Sequence, residues 1–366
     1  MSRLYRLGRP LLFTMEPESA HHLSIMALKH GLVPRMDVPV DSRLRVSVAG
    51  ISFPNPIGLA AGYDKNAEVV DAALGLGFGF VEAGTVTPRP QPGNDRPRCF
   101  RLPKAEAMIN RFGFNNDGHA DALERLQRRR RRAGIVGVNI GANKDADDRI
   151  QDYVDGVSLF ESVADYLTVN ISSPNTPGLR ALQSGEDLHR LLEAVVAARD
   201  GFAAMAASAK KPLFVKVAPD LVPEQIAEIA EAALRHQIDG LIVSNTTLSR
   251  DGVAGLAHSE ETGGLSGRPL LARSTWALAA FRKALGPEMP LIGVGGVHDT
   301  ESALLKIAAG ADLVQLYTAM VYAGPGLPTA ILKGLRAYLD ETGADSLASL
   351  RDARVEEIVA KGPPSD

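Results

Sequence analysis

The sequence predicts an α/β fold, a (β/α)8 TIM barrel with a short N-terminal helical extension. From residue 44 onward, short apolar runs alternate with amphipathic stretches, and the apolar runs are continuous rather than alternating. Continuous apolar strands are typical of parallel sheets that helices cover on both faces. Eight strand–helix units over about 300 residues match a closed barrel. A doubly wound open sheet is the second alternative, disfavoured because the strand pattern shows no obvious switch point.

The N-terminal segment, residues 1–40, is predicted to form two short amphipathic helices. The first covers about 2–14, and the second begins with Pro17 in its first turn and ends at Gly31. No apolar run approaches the roughly 18 to 20 residues that span a bilayer. We therefore expect these helices to lie on a membrane surface or against the main domain.

The barrel domain is predicted over residues 41–345, followed by a C-terminal tail over 346–366. A short hairpin over 44–53 comes first. The predicted strands cover 56–61, 78–84, 135–141, 166–171, 213–218, 239–245, 290–295 and 312–317. The predicted helices cover 66–75, 117–132, 147–163, 186–208, 223–236, 269–285, 299–309 and 326–342.

Composition and charge exclude several classes of protein. The chain has 366 residues, of which 45% are hydrophobic and 23% charged, as in globular proteins. Its 40 basic and 43 acidic residues give a net charge of −3, which does not indicate a nucleic-acid partner. The single cysteine, Cys99, excludes an intrachain disulfide, and the histidines show no metal-binding spacing. No metal site is predicted.

Polar residues gather where the predicted strands end, which in such a barrel is the face that carries the active site. These segments are rich in Asn, Thr, Ser and Lys and poor in carboxylates, so a hydrolase with paired acids is disfavoured. Amide side chains can match a flat heterocycle, and lysines can hold an anion. Glycines after the last two strands expose backbone N–H groups at a corner that often binds phosphate. Together they indicate a phosphorylated cofactor with a planar ring and a small anionic substrate.

Four motifs carry a resemblance to a known family. They are Leu59-Ala-Ala-Gly-Tyr-Asp-Lys-Asn66, Ile109-Asn-Arg-Phe-Gly-Phe-Asn-Asn116, Asn170-Ile-Ser-Ser-Pro-Asn-Thr-Pro-Gly-Leu-Arg180 and Gly263-Gly-Leu-Ser-Gly-Arg-Pro269. From about Tyr5 to about Leu339, the chain resembles the dihydroorotate dehydrogenases. Ser173, where the soluble class has cysteine, and the helical extension resemble the class 2, quinone-dependent branch.

The resemblance implies an enzyme that oxidises (S)-dihydroorotate to orotate in pyrimidine biosynthesis. It would pass a hydride to FMN and then electrons to a membrane quinone. The residues implied for FMN are Ala61, Gly62, Tyr63, Asp64, Lys65, Thr85, Asn139, Asn170, Lys216, Ser244, Gly267, Gly296, Tyr317 and Thr318. The family often has threonine in place of Ser244, and both side chains carry a hydroxyl.

The same resemblance implies roles in substrate binding, proton transfer and quinone binding. Ser173 would be the general base. The residues implied for dihydroorotate are Lys65, Asn110, Arg111, Phe112, Gly113, Phe114, Asn170, Asn175, Asn245 and Thr246. His21, Arg101 and Tyr317 would contact the quinone head. The implied protein is a monomer, bound peripherally to the cytoplasmic face of a bacterial inner membrane.

Two other functions remain open at this point. Lys216 at the end of a barrel strand would also suit a class I aldolase, in which a lysine forms a Schiff base. A non-catalytic membrane scaffold that keeps the barrel is the other alternative. A flavin spectrum in the purified protein would separate the resemblance from both.

Overall fold

The computed structural model describes residues 3–129 and 133–364. The strands are β1 (Val46–Val48), β2 (Ile51–Phe53), β3 (Ile57–Leu59), β4 (Phe80–Val86), β5 (Cys99–Leu102), β6 (Ala107–Asn110), β7 (Ile135–Ile140), β8 (Tyr166–Asn170), β9 (Leu213–Val217), β10 (Gly240–Val243), β11 (Gly264–Gly267), β12 (Leu291–Val294) and β13 (Leu313–Leu316). The helices are α1 (Arg3–Thr14), α2 (Pro17–Lys29), α3 (Val70–Leu74), α4 (His119–Arg129), α5 (Arg149–Phe160), α6 (Gly185–Ala206), α7 (Pro223–Arg235), α8 (Leu271–Leu285), α9 (Thr300–Ala308), α10 (Thr318–Ala323), α11 (Leu327–Thr342) and α12 (Val355–Ala360).

The predicted barrel is confirmed. Strands β3, β4, β7, β8, β9, β10, β12 and β13 lie side by side in chain order, all parallel, and β13 pairs with β3 to close the ring. Nearly every residue of these strands is buried, because helices cover the outside and side chains fill the inside. Sequential strands that are neighbours throughout leave no switch point, so the open-sheet alternative is wrong.

Two predicted helices differ from those observed. The helix predicted over 66–75 starts only at Val70, because the Asp64 carboxylate accepts hydrogen bonds from the backbone N–H groups of Glu68 and Val69 and Ala67 has a positive φ. These contacts build a turn where a helix was expected. The helix predicted over 117–132 is observed over α4, and the predicted end at 130–132 lies outside the described residues.

The barrel interior holds a buried carboxylate and a row of aromatic rings in edge-to-face contact. Glu82 on β4 is fully buried and accepts hydrogen bonds from Asn139 Nδ2 (2.7 Å), Tyr166 Oη (3.0 Å) and Gln315 Nε2 (2.8 Å). Those three donors come from β7, β8 and β13. Below them, the predicted hairpin β1–β2 places Phe53 in the barrel floor. A buried charge needs such a set of donors to remain stable.

An antiparallel sheet, which the sequence analysis did not predict, covers the carboxyl ends of the barrel strands. Its order is β11-β6-β5, and β11 pairs with β6 through Gly264↔Asn110 and Gly267↔Ala107. The strands are short and β11 begins and ends with glycine, so the usual strand signals are weak. The sheet positions two of the family-like motifs beside each other.

The extension predicted at the N-terminus is present and packs against one edge of this sheet and α10. The Tyr5 hydroxyl donates to the Val321 carbonyl (2.6 Å), and Arg9 Nη1 donates to the Tyr322 carbonyl (3.0 Å). On the outer side, the described residues of α1 and α2 leave large apolar side chains in solvent; these are Leu7, Leu11, Leu23 and Met26. Within the described chain, we find no helix with both the length and the apolar content needed to cross a bilayer.

The segment after residue 345 contains a further helix. Val355 and Ile358 of α12 are buried, and α12 packs against α8. Arg351 Nη1 donates to Asp312 Oδ1 (2.6 Å), just before β13. In its described part, this segment therefore adds to the helical layer around the barrel.

Candidate active site

A cavity opens at the carboxyl ends of the barrel strands, under the antiparallel sheet. Its empty space is about 1190 Å³, including the part open to solvent. The predicted residues that line it are Ala61, Gly62, Lys65, Thr85, Asn110, Phe112, Gly113, Phe114, Asn170, Ser173, Asn175, Lys216, Ser244, Asn245, Thr246, Gly267, Gly296, Tyr317 and Thr318.

A chain of buried amides and hydroxyls forms one wall. Asn170 Nδ2 donates to Thr85 Oγ1 and to Asn139 Oδ1, both at 3.0 Å. Its Oδ1 lies 3.1 Å from Ser172 Oγ and 3.3 Å from Asn245 Nδ2. Each amide is thus held in one orientation by its neighbours, which suits recognition of a planar ring with amide edges.

Two buried lysines give the cavity its positive charge. Burial lowers the pKa of Lys65 to about 8, and its ammonium lies 4.5 Å from the centroid of the Phe112 ring. Burial also lowers the pKa of Lys216, and the carboxylate of Glu82 opposes part of that shift. Both groups are poorly hydrated cations facing a polar cavity. Such cations favour an anionic ligand, because its negative charge would stabilise the charged form of each lysine that burial destabilises.

Ser173 lies in the loop after β8, the predicted position of the base. It is 5% exposed, and its Oγ accepts a hydrogen bond from the Asn175 backbone N–H (3.2 Å). The nearby Thr176 and Thr246 hydroxyls are buried and make no hydrogen bond among the described residues. Because Thr246 also lines the cavity, its unpaired hydroxyl is available to a ligand.

A glycine-lined corner follows β11, β12 and β13. A Cβ at Gly296 would overlap the backbone of Leu271, and one at Gly267 would overlap the Glu106 carbonyl. Both glycines have positive φ, so side chains are excluded and bare backbone lines the cavity. Thr318, at the start of α10, donates to Ser266 Oγ (2.9 Å) at the same corner. Bare backbone beside loops after the last two strands fits a phosphate group.

Four of the residues predicted for FMN or dihydroorotate do not line the cavity, each for a local reason. Asn139 is fully buried behind Thr85 and Asn170, and Asp64 is used in the turn before α3. The Tyr63 hydroxyl pairs with Ser24 Oγ (3.1 Å) on α2, and Arg111 Nη1 donates to Glu261 Oε2 (2.7 Å). Tyr63 and Asp64 lie in the turn after β3, and Arg111 follows β6, so the direction of these side chains depends on partners that the motifs alone do not show.

The three residues predicted for the quinone lie where the extension meets the barrel and the antiparallel sheet. Tyr317 lines the cavity, and its hydroxyl is 3.3 Å from His21 Nδ1 on α2. Burial lowers the pKa of His21 well below its ordinary value, so this ring is neutral at pH 7. Arg101 Nη1 donates to the Met15 carbonyl (2.8 Å) at the junction of α1 and α2. Neither His21 nor Arg101 is among the residues that line the cavity.

Several lining residues were not predicted. They are Ala60, Cys99, Met108, Ser266, Leu270, Val294, Gly295, Val297, Leu316 and Ala319. Cys99, Met108 and Ser266 belong to the antiparallel sheet, whose absence from the prediction hid them. Gly295 is one of the glycines that follow the last two strands, and the remaining residues are small or apolar neighbours of predicted residues that no chemical signal marks in the sequence.

The sequence was compared with protein families and curated proteins. The dihydroorotate dehydrogenase family model matches residues 43–339. A protein of Chelativorans sp. (strain BNC1), named dihydroorotate dehydrogenase (quinone), is 59% identical over 351 residues, which cover 96% of both chains. A Brucella ovis protein of the same name is 58% identical over 362 residues, or 99% of both chains.

Solved structures show the same relationship. A dihydroorotate dehydrogenase from Eimeria tenella, in complex with ferulenol, matches with a TM-score of 0.88 and 38% identity, covering 92% of this chain and 95% of that one. The ligand-free form of the Eimeria tenella enzyme matches with a TM-score of 0.87 and 39% identity. This match covers 92% of this chain and 99% of that one. Residues 43–339, which the family model matches, include every barrel strand and every residue that lines the cavity. The chain belongs to the dihydroorotate dehydrogenase family, in its quinone-dependent branch.

Proposed function

We propose that this protein oxidises dihydroorotate to orotate in pyrimidine biosynthesis, using FMN and a membrane quinone. The observation that carries the proposal is a single cavity with two buried lysines, a wall of oriented amides and a corner of bare backbone. These features match an anionic heterocycle and a phosphorylated flavin. Membership of an oxidoreductase family favours this function over the aldolase and the scaffold.

The chain's own groups fit FMN. Asn170, Thr85 and Lys216 would face the polar edge of the ring, and Gly267, Gly296 and Thr318 would surround the phosphate. When bound, the flavin supplies a hydride acceptor that can later release electrons one at a time. Lys216, buried and acted on by the charge of Glu82, would supply positive charge beside the ring.

The substrate would lie against the insertion that carries β5 and β6. Asn175 Nδ2 donates to Asn110 Oδ1 (3.3 Å), so these two amides already form one surface. Lys65 would hold the substrate carboxylate, while Asn245 and Thr246 close the pocket from the β10 side. Phe112, Gly113 and Phe114 shape the same wall.

Ser173 would take a proton from one ring carbon of the substrate as the hydride leaves the neighbouring carbon. Its hydroxyl is a weak base alone, so the proton has to move on, either through Thr176 or through water in the cavity. The backbone N–H of Asn175 holds Ser173 Oγ in place for this transfer.

The quinone would approach between α1 and α2 and reach Tyr317, His21 and Arg101. The exposed apolar row on these helices would rest in a membrane surface, which we place on the cytoplasmic face of a bacterial inner membrane. We propose that the enzyme acts there as a peripheral monomer. The domain division would be an extension over 1–40, a barrel over 41–345 and a terminal segment over 346–366.

Purified protein provides the test. The holoenzyme should show a flavin spectrum, release FMN on denaturation, and lose its absorbance when dihydroorotate is added without air. A long-tailed quinone should then restore that absorbance. Colourless protein, or a keto substrate trapped on Lys216 by borohydride, would overturn the proposal.

A further inference from the structure

A buried ion pair joins the N-terminal extension to the barrel. Glu18 on α2 is 2% exposed and Arg98, just before β5, is 4% exposed. Arg98 Nη2 donates to Glu18 Oε1 (2.7 Å) and Nε donates to Oε2 (3.0 Å). Burial alone would raise the pKa of the Glu18 carboxyl, but the Arg98 and Arg96 guanidiniums hold it below its usual value. The pair is therefore charged on both sides.

Arg98 also holds the loop in front of it. Its Nη1 donates to the carbonyls of Pro92 (2.6 Å) and Asn94 (2.7 Å). Between them, Gly93 packs so closely that a Cβ would overlap the Phe112 carbonyl. The guanidinium thus ties α2 to the 92–94 loop with no side chain in between.

Asn94 continues the connection to the cavity wall. Its Nδ2 donates to the carbonyls of Arg111 (3.0 Å) and Asn175 (3.1 Å), and its backbone N–H donates to the Phe112 carbonyl (2.9 Å). Phe112 and Asn175 both line the cavity. A continuous set of hydrogen bonds therefore runs from a helix of the extension to the surface assigned to the substrate.

The charges of the pair also act on the substrate lysine. Arg98 lies 5.7 Å from the centroid of the Phe112 ring, and Lys65 lies 4.5 Å from the same centroid. Glu18 favours the charged form of Lys65 and Arg98 disfavours it, so the two charges of the pair act on Lys65 in opposite directions. Removing Glu18 alone would leave a buried guanidinium unpaired beside Lys65.

We infer that Glu18, through Arg98 and Asn94, is a positioning residue for dihydroorotate, so that the membrane extension is part of the substrate site. This inference rests on the proposed function. An unpaired Arg98 would have to move toward water. Because Arg98 is hydrogen-bonded to Asn94, and Asn94 to Phe112, this movement would displace both residues. Among the described residues, no hydrogen bond joins Glu18, Arg98 or Asn94 to the glycine corner assigned to the phosphate, so FMN should stay bound.

The test compares Glu18→Gln with Glu16→Gln in the holoenzyme. Glu16 caps the same helix by accepting from the backbone N–H groups of Glu18 (3.0 Å) and Ser19 (2.7 Å), without touching Arg98. Orotate binding is followed by the change in flavin absorbance, alongside flavin content and the thermal midpoint. Glu18→Gln should raise the orotate Kd roughly tenfold at unchanged flavin content. Glu16→Gln should leave the Kd at the parent value.

A second variant, Asn94→Ala, breaks the route at its other end without touching α2, and it should raise the orotate Kd in the same way. Equal Kd values for Glu18→Gln, Asn94→Ala and the parent would overturn the inference alone. Equal losses in Glu18→Gln and Glu16→Gln would also overturn it, since they would reflect a loosened helix. A parent holoenzyme that binds no orotate would instead overturn the proposed function together with the inference built on it.

Discussion

Ser173, the proposed base, would accept a proton with little help from its surroundings. Its Oγ is held by the Asn175 N–H, and among the described residues it forms no hydrogen bond with a histidine or a carboxylate. In the proposed reaction, the surrounding amides would orient the substrate rather than accept its proton. Proton transfer at this hydroxyl should therefore be sensitive to the loss of a single oxygen atom.

Replacing Ser173 with Ala should leave FMN bound and slow flavin reduction by dihydroorotate by about 10² to 10⁴-fold. This is the usual contribution of a general base to a reaction rate. Stopped-flow absorbance under anaerobic conditions measures that step directly. The release of FMN on denaturation serves as the control for an intact site. Reduction at the parental rate would remove Ser173 from this role.

Lys65→Ala should weaken orotate binding more than it weakens FMN retention, because Lys65 faces the substrate wall. In the parent, orotate affinity should fall as the pH rises through about 8, where Lys65 loses its proton. Titrations of flavin absorbance across that range check both statements. Lys104→Ala, at an exposed lysine in the turn between β5 and β6, is the matched control. Unchanged orotate affinity in Lys65→Ala would place the substrate elsewhere.

Lys306 on α9 is a buried lysine that the proposed reaction does not use. It is fully buried, and its Nζ donates to Ser274 Oγ (2.6 Å). Burial holds the pKa of Lys306 well below its ordinary value, with no offsetting charge among the described residues. The unfolded chain binds this proton up to about pH 10.4, whereas the folded protein releases it at lower pH. The free energy of unfolding of the parent should therefore rise with pH between the lowered pKa of Lys306 in the folded protein and about pH 10.4.

Lys306→Met should raise the free energy of unfolding at neutral pH by on the order of 1 kcal/mol or more, and the gain should shrink toward pH 10. Thermal midpoints at several pH values measure this. Lys283→Met, at an exposed ion pair with Glu356, should change little. A gain that grows with pH would contradict the assignment.

At the scale of elements, α1 and α2 contact the barrel through one face and expose apolar side chains on the other. The inner face carries His21 and Glu18, which contact the barrel, and the outer face carries exposed apolar side chains. Deleting residues 1–35 would remove both faces at once, including the partner of a buried arginine. Single substitutions on the outer face separate membrane contact from the interior contacts.

Leu7→Glu combined with Leu11→Glu should abolish sedimentation with anionic lipid vesicles, because these side chains are 81% and 73% exposed on one face of α1. Flavin reduction by dihydroorotate should be unaffected. Met205→Glu, at a position 79% exposed on α6, is the matched control and should sediment like the parent. Vesicle binding by the double variant at the parental level would show that another surface meets the membrane.

The elements that could be predicted are those whose stability is local or strongly apolar. The barrel strands are continuous buried runs such as Leu213–Val217, and α2 begins with a proline in its first turn. The sheet β11-β6-β5 could not be predicted, because pairs such as Gly264↔Asn110 join segments that are distant in the chain. The route from Glu18 to Asn94 was hidden for the same reason.

At the scale of the whole molecule, the motifs placed most site residues on one face of one barrel. Strand order alone brings Thr85, Asn170 and Lys216 to the same cavity, which explains why the site was largely predictable. The direction in which a side chain points from a loop was not predictable. Tyr63 points toward Ser24, and Arg111 points toward Glu261. Those two choices depend on partners that only the folded chain supplies.

The carboxylate inside the barrel bears on how the protein is made. Glu82 takes its donors from β7, β8 and β13, and Gln315 belongs to the final barrel strand. A ribosome releases β4 long before β13, so the nascent chain holds Glu82 without its full set of donors for most of synthesis. The ring can close with this charge satisfied only after Gln315 has left the exit tunnel. Fragments that end before β13 should therefore depend on chaperones rather than fold as half-barrels.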